Sequence, residues 1–290
     1  MKCIKMYLFF SFFLTWLIWI SIINFEFSDS MYWILMYVSV LMPALALGFT
    51  KILTKNEKIL FVSLKSQISE SENIKWYLIA WLLPVVIIFC GGLLYYCIFQ
   101  NDFTFTFGWL QQDIINKTGQ FPDNPLIIAN RKILVAVFIY PFMNMFLCLG
   151  EEIGWRGFLF PALIQHISRN KTHILVGIIW GVWHTPLIIM GNNYGLGYLG
   201  YPWLGVLTLC IFTFSTGVFL SWLTENSSTI WPAALAHGTI NSLGGLPYLF
   251  LTVAESHNRL LGPGITGLIS GLPMVILASI LIIKEKQLKN

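Results

Sequence analysis

The stretch CLGEEIGWRG, residues 148–157, follows the nearly unbroken apolar run 133–147 and places two adjacent glutamates and an arginine directly after it. What those charges mean depends on the solvent around them. The chain has 290 residues, 57% of them hydrophobic and 10% charged, with a mean hydropathy of +0.73. That is far too apolar for a water-soluble domain of this size, so the composition predicts a membrane protein.

A helix needs about 20 residues to cross the hydrocarbon, and mostly apolar windows of that order fall near residues 6–23, 32–49, 76–99, 133–152, 173–190, 204–223, 230–251 and 265–283. The expected fold class is therefore all-α, a polytopic transmembrane helical bundle of about eight spans. Lys2 and Lys5 precede the first run, as in a signal peptide, but the run exceeds a typical h-region and no A-x-A-like site follows; a retained anchor is expected. Its aromatic stripe, from Tyr7 to Trp19, is expected to face lipid or the interface. The organisation expected is N-terminal helices and an outer loop over 1–130, a catalytic helical core over 131–255, and a last helix with a basic tail over 256–290.

With both termini inside, the cytoplasmic segments hold 13 of the 17 Lys and Arg residues, leaving Lys117, Arg131, Lys132 and Arg259 outside. This is the positive-inside bias. It predicts a multi-pass protein of the cell membrane with both termini cytoplasmic. The net charge of +4 then reports topology and implies no nucleic-acid partner. Cys3, Cys90, Cys97, Cys148 and Cys210 lack CxxC spacing, so neither a disulfide framework nor a zinc knuckle is suggested.

A charge in the bilayer costs at least about 2.5–3.5 kcal/mol on insertion scales, so its position is informative. Eleven of the 13 acidic residues fall in loops or tails; Glu151 and Glu152 do not. Of the five histidines, His184 in WGVWHTPLII and His237 in ALAHGTIN lie well within apolar runs. Residues four apart share a helical face, which pairs His237 with Asn241, Trp180 with His184, and Glu152 with Arg156. Glu152 can be neutralised by Arg156 one turn on, while Glu151, rotated by about 100°, faces a different environment. At about 1.5 Å per residue, the four groups Glu151, His184, His237 and Asn241 reach comparable depths and can meet in one cavity, if Gly157 and Pro161 do not break the first of these helices. Gly150 with Gly154, and Gly177 with Gly181, have the small-xxx-small spacing that allows close approach.

A carboxylate, two imidazoles and a carboxamide in a partly dry pocket suit hydrolysis of a peptide bond. Glu151 can act as general base on a water held by His184, with His237 and Asn241 donating to the oxyanion. Alternatively Glu151, His184 and His237 are ligands of a divalent zinc ion; no HExxH is present to favour that version.

The three motifs, EEIGWR as EExxxR, WGVWH as an aromatic-xxxH and HGTIN as HxxxN, occur in this order on successive apolar segments. In this they resemble the type II CAAX prenyl endopeptidase family, the CPBP or Abi group of CAAX proteases and bacteriocin-processing enzymes. The resemblance covers roughly residues 134–251. It implies that Glu151 and His184 activate water, that His237 and Asn241 stabilise the oxyanion, and that Glu152 and Arg156 are mainly structural. Where the family often has Phe, this chain has Trp180, which keeps the cavity wall aromatic. The fold and hydrolytic chemistry transfer better than the substrate, which is expected to be a peptide or a membrane protein in the lipid bilayer, with the site opening towards the cytoplasm.

Other readings remain. The EExxxR charges can form only an ion-pair clamp; Cys148, sharing a face with Glu152, raises a thiol protease. A non-catalytic scaffold or bacteriocin-immunity protein would look similar. An ion-coupled transporter would also bury Glu and His, but should show inverted repeats and broken helices in matching halves. The glycine-rich 191–202 reads as a plain turn in an outer loop.

Overall fold

The computed structural model describes residues 1–54, 71–252 and 257–287. Lys55, Glu57, Lys58, Lys65, Glu70, Glu255 and Lys289, assigned to loops or tails above, lie outside the described residues, as does the domain boundary at residue 255. The described chain is helical, with one isolated bridge between Phe103 and Leu251. In order come α1 (Lys2–Asn24), α2 (Asp29–Ser39), α3 (Met42–Leu53), α4 (Ser71–Ile98), α5 (Gly108–Thr118) and α6 (Pro125–Phe138). There follow α7 (Tyr140–Gly154), α8 (Phe160–Leu163), α9 (Arg169–Trp183), α10 (Thr185–Ile189), α11 (Trp203–Ser227), α12 (Trp231–Leu243) and α13 (Leu272–Gln287). The protein is an all-α membrane bundle.

On α1, Ser11 and Thr15 are 0% exposed while Phe13 and Leu17 are 52% and 56% exposed. Lipid solvates large apolar side chains as well as a protein core does, so apolar residues occupy both faces and the small polar ones are confined to the helix contacts. The stripe Ile4, Tyr7, Ser11, Thr15 and Trp19 is buried at helical spacing. This corrects the expectation that Tyr7 and Trp19 face lipid: Tyr7 packs edge-on against Trp155 and Phe158, and Trp19 against Trp183.

Three helices (α1, α4 and α11) are long and apolar enough to cross a membrane singly, and the bent pairs α2–α3 and α6 with the helix 140–163 raise the candidates to five. The remaining expected spans are the shorter helices α9, α12 and α13. Hydropathy averages over a window and does not register breaks, which here occur beside prolines. Pro141 cannot donate to the carbonyl of Val137, four residues back; the chain bends by 49° there, and that carbonyl accepts instead from the Trp81 indole at 2.7 Å. Pro186 likewise leaves the Val182 carbonyl to Thr185 Oγ1 at 2.6 Å, and α9 ends with His184 at the break. Gly157 and Pro161 do not break their helix: residues Trp155–Leu159 form a π-helical turn that continues α7 into α8.

The glycine spacing does permit close packing. A Cβ on Gly177 would lie 2.5 Å from Phe214 Cα and one on Gly181 2.8 Å from Cys210 Cα, so α9 seats directly on α11; Gly150 meets the bend at Val40 and Leu41 in the same way. Gly238 is the tightest site in α12, its would-be Cβ 2.7 Å from the Met145 nitrogen and 2.8 Å from the Pro141 oxygen. Backbone atoms cannot rotate aside, so Gly238→Ala is expected to destabilise by about 1–3 kcal/mol, the usual cost of overpacking, read as a lower Tm of the solubilised protein.

Candidate active site

Glu151 and Glu152, adjacent on α7, are 4% and 0% exposed. As neighbours on a helix they diverge, and each finds its own partners. The Glu151 carboxylate accepts from the Trp180 indole at 2.8 Å and, through the same Oε2, from the Trp155 indole at 3.3 Å. Glu152 Oε1 accepts from Arg156 Nη1 at 3.0 Å and lies 2.8 Å from His237 Nδ1 on α12. The Arg156 guanidinium sits over the Trp180 ring, 4.4 Å from its centroid, and is itself 1% exposed. Helical spacing anticipated the Glu152–Arg156 pair. It did not anticipate that Glu152 also holds His237.

His184 stands where α9 gives way to α10. Its Nδ1 is 2.8 Å from the Trp180 carbonyl oxygen, which can only accept, so Nδ1 carries a proton and Nε2 is the nitrogen left for chemistry. The ring is boxed by Trp183 edge-on at 4.7 Å and by Trp19 nearly parallel at 6.1 Å. The Trp19 indole donates to Ser39 Oγ at 2.8 Å, and the Trp16 indole to the Trp183 carbonyl at 2.9 Å. The N-terminal helices thus form part of the site wall. The signal for this lay in the helical spacing of Tyr7, Ser11, Thr15 and Trp19, a period that suits packing as well as it suits lipid.

Asn241, one turn beyond His237, donates through Nδ2 to Cys148 Sγ at 3.4 Å, keeping a second N–H and its carbonyl oxygen. Glu151, Trp180, His184, His237 and Asn241 line one cavity of about 350 Å³, together with Trp19 and Ser39. Trp180 therefore does stand in the cavity wall. Its phenylalanine variant would keep a ring under Arg156 and remove only the N–H held by Glu151. Hydrogen bonds to charged groups contribute about 1.5–3 kcal/mol, so Trp180→Phe is expected to lower stability by that order, measured by thermal unfolding.

The cavity continues past Leu187 to Asn192 and Asn193, and on its other side to Tyr248 and Thr266. Three residues of its lining, Asn193, Asn241 and Gly245, are exposed. Asn193 lies at the end of the bundle away from Arg169 and Lys171, which begin α9. The segment 191–202 is thus no plain turn: Tyr194 Oη donates to the Thr266 carbonyl at 2.9 Å and Tyr201 Oη to the Ile189 carbonyl at 2.6 Å, tying the mouth together. Burial holds the Tyr194 phenol well above its ordinary pKa, so it stays a donor.

Among the described residues no three His, Cys, Asp or Glu side chains are grouped so as to hold a metal ion. Glu151 Oε2 is engaged by two indoles, and His184 and His237 each commit Nδ1, which leaves Nε2 as the other nitrogen of each ring.

Comparison with known proteins meets the same residues. Residues 132–243 match the family described as type II CAAX prenyl endopeptidase Rce1-like. This segment is similar to that family. A curated relative, CAAX prenyl protease 2 of Methanococcus maripaludis, is 33% identical over 102 residues, 34% of this chain and 37% of the relative. The match thus spans little more than a third of the relative's length. The Rce1-like segment runs from the middle of α6 through α12 and contains Glu151, Glu152, Arg156, Trp180, His184, His237 and Asn241. Trp19, Ser39, Tyr248 and Thr266, which complete the cavity, lie outside it.

Proposed function

We propose that the chain is an intramembrane endopeptidase that hydrolyses peptide bonds with a water activated by Glu151 and His184. The observation that carries this reading is the convergence of Glu151, His184, His237 and Asn241, from three separate helical segments, on one cavity within the bundle. Groups so expensive in lipid gather where they act on something. The Rce1-like segment and the protease name of the archaeal relative support the same class of activity.

In this mechanism Glu151 takes a proton from a water that His184 Nε2 helps to hold, and the resulting hydroxide attacks the peptide carbonyl. The oxyanion of the tetrahedral intermediate accepts from the spare Asn241 N–H and from His237 Nε2–H. Collapse breaks the C–N bond, and the proton carried by Glu151 passes to the departing nitrogen, leaving a carboxylate and an amine. Glu152 is a positioning residue, since its bond to Nδ1 aims the other edge of His237 at the cavity. With His237 protonated on both nitrogens, Glu151 and Glu152 are balanced by Arg156 and His237. The charge excess of two acids beside one arginine disappears.

The substrate is a peptide or membrane protein in the bilayer, and both termini of the chain are assigned to the cytoplasm by the basic bias. The test is a quantitative comparison of N- and C-terminal peptide fragments in membranes carrying the full chain and in membranes carrying Glu151→Ala. Fragments that vanish in the variant are expected. An unchanged pattern, with the variant folded, would replace protease by a non-catalytic scaffold or immunity protein.

A further inference from the structure

The Glu151 carboxylate is held asymmetrically. Both of its indole donors, Trp180 at 2.8 Å and Trp155 at 3.3 Å, meet the same oxygen, Oε2. The other oxygen, Oε1, has no hydrogen-bond partner among the described residues, and the residue lies in the cavity wall.

Neither indole is loose. The Trp180 ring lies under the Arg156 guanidinium, 4.4 Å from its centroid, and meets the His237 ring at 5.3 Å. Trp155 is fully buried, packed edge-on against Tyr7 at 6.0 Å and Trp183 at 5.8 Å. One donor therefore comes from α9 and the other from one turn beyond Glu151 itself, each with its ring fixed by neighbours. The terminal torsion of a glutamate is otherwise broad, and two donors on one oxygen narrow it. An indole N–H is a donor only. It engages the lone pairs of Oε2 without competing for the proton that a base must take, and it leaves Oε1 as the free acceptor.

We propose that Trp155 and Trp180 are positioning residues that make Oε1 the single oxygen of Glu151 to handle the proton in both halves of the reaction, an inference that rests on the proteolytic reading of the cavity. In the first half an O–H bond of water breaks and its proton joins Oε1, while the hydroxide oxygen bonds to the peptide carbon. In the second the C–N bond breaks, and the Oε1–H bond gives the same proton to the departing nitrogen. Oε2 stays on its two indoles throughout. No rotation of the carboxyl group is needed between the two transfers.

The experiment uses the full chain in membranes and a Glu151-dependent substrate from the fragment comparison, with rates matched to folded amount. Trp180→Phe and Trp155→Phe each remove one N–H and keep a ring. Partners that orient a reactive group are worth about 10–100-fold, so Trp180→Phe is expected to lower kcat by about 10-fold and the double variant by about 100-fold, with KM within about 2-fold of the wild type. Trp155→Phe is expected to lose less than Trp180→Phe, because its bond is longer. In a Glu151→Gln background the same substitutions are expected to change kcat no further, since no proton acceptor is left to aim. Trp81→Phe is the control: its indole donates to the Val137 carbonyl at 2.7 Å, outside the cavity lining, so its loss is expected to lower Tm and leave kcat alone. Wild-type kcat in both folded phenylalanine variants overturns the proposal, and so does a loss in Trp180→Phe that persists in full in the Glu151→Gln background. If Trp180→Phe does not fold, Trp155→Phe decides by the same criteria. Cleavage lost in Glu151→Gln but kept in both phenylalanine variants removes the clamp alone; cleavage unchanged in Glu151→Gln removes the proteolytic reading and the clamp with it.

Discussion

Arg156→Ala is expected to destabilise the folded protein by about 3–5 kcal/mol, the usual consequence of removing one partner from a buried ion pair. Arg156 and Glu152 are 1% and 0% exposed, so no water can solvate the carboxylate left behind. The loss extends beyond the pair, because Glu152 Oε1 also holds His237 and the guanidinium covers the Trp180 ring. Monodisperse yield from membranes and Tm are expected to fall together. Arg156→Lys keeps the charge but not the planar stack on Trp180 and is expected to fall between the two. A wild-type Tm for the alanine variant would show that the pair contributes little, as for ion pairs open to solvent.

Glu151→Gln is expected to reduce cleavage by about 10²–10⁴-fold, the range that general acid–base groups supply, with Tm near that of the wild type. The variant preserves shape and keeps a carbonyl oxygen for the Trp180 and Trp155 indoles, so the fold has little reason to change. What it removes is the proton acceptor. Rates are read on a substrate found in the fragment comparison, with protein matched by folded amount. His184→Ala is expected to follow the same pattern, while His237→Ala is expected to lose cleavage with a lower Tm, because buried Glu152 then loses a hydrogen-bond partner. Retention of full cleavage by Glu151→Gln would end the assignment of Glu151 as base. The contrast between the two predictions is itself informative: adjacent glutamates yield an activity defect at 151 and a stability defect when the partner of 152 is lost.

That contrast was already legible in the chain, because two neighbours on a helix point about 100° apart and only one can meet a residue four positions on. The pairing of Trp180 with His184 and of His237 with Asn241 followed from the same local geometry. The helix breaks beside Pro141 and Pro186 were hidden by the averaging that identifies spans, although the prolines themselves stood in plain view. The buried stripe of α1 was legible as a period and misassigned as to solvent, since in a membrane both faces of a helix are apolar and hydropathy does not say which one packs.

Sequence alone determined the membrane class, the all-α architecture, the charge bias between the two sides and the short list of polar residues too costly to place in lipid without purpose. Those properties are sums over residues or relations within one helical turn. The tertiary structure decided that Glu152 holds a histidine 85 positions away, that Trp16 of the first helix reaches a carbonyl 167 positions on, and that the cavity extends from Glu151 to Asn193. Contacts between helices depend on how closely glycines let backbones approach and where prolines bend them, and no local pattern in the chain carries that information.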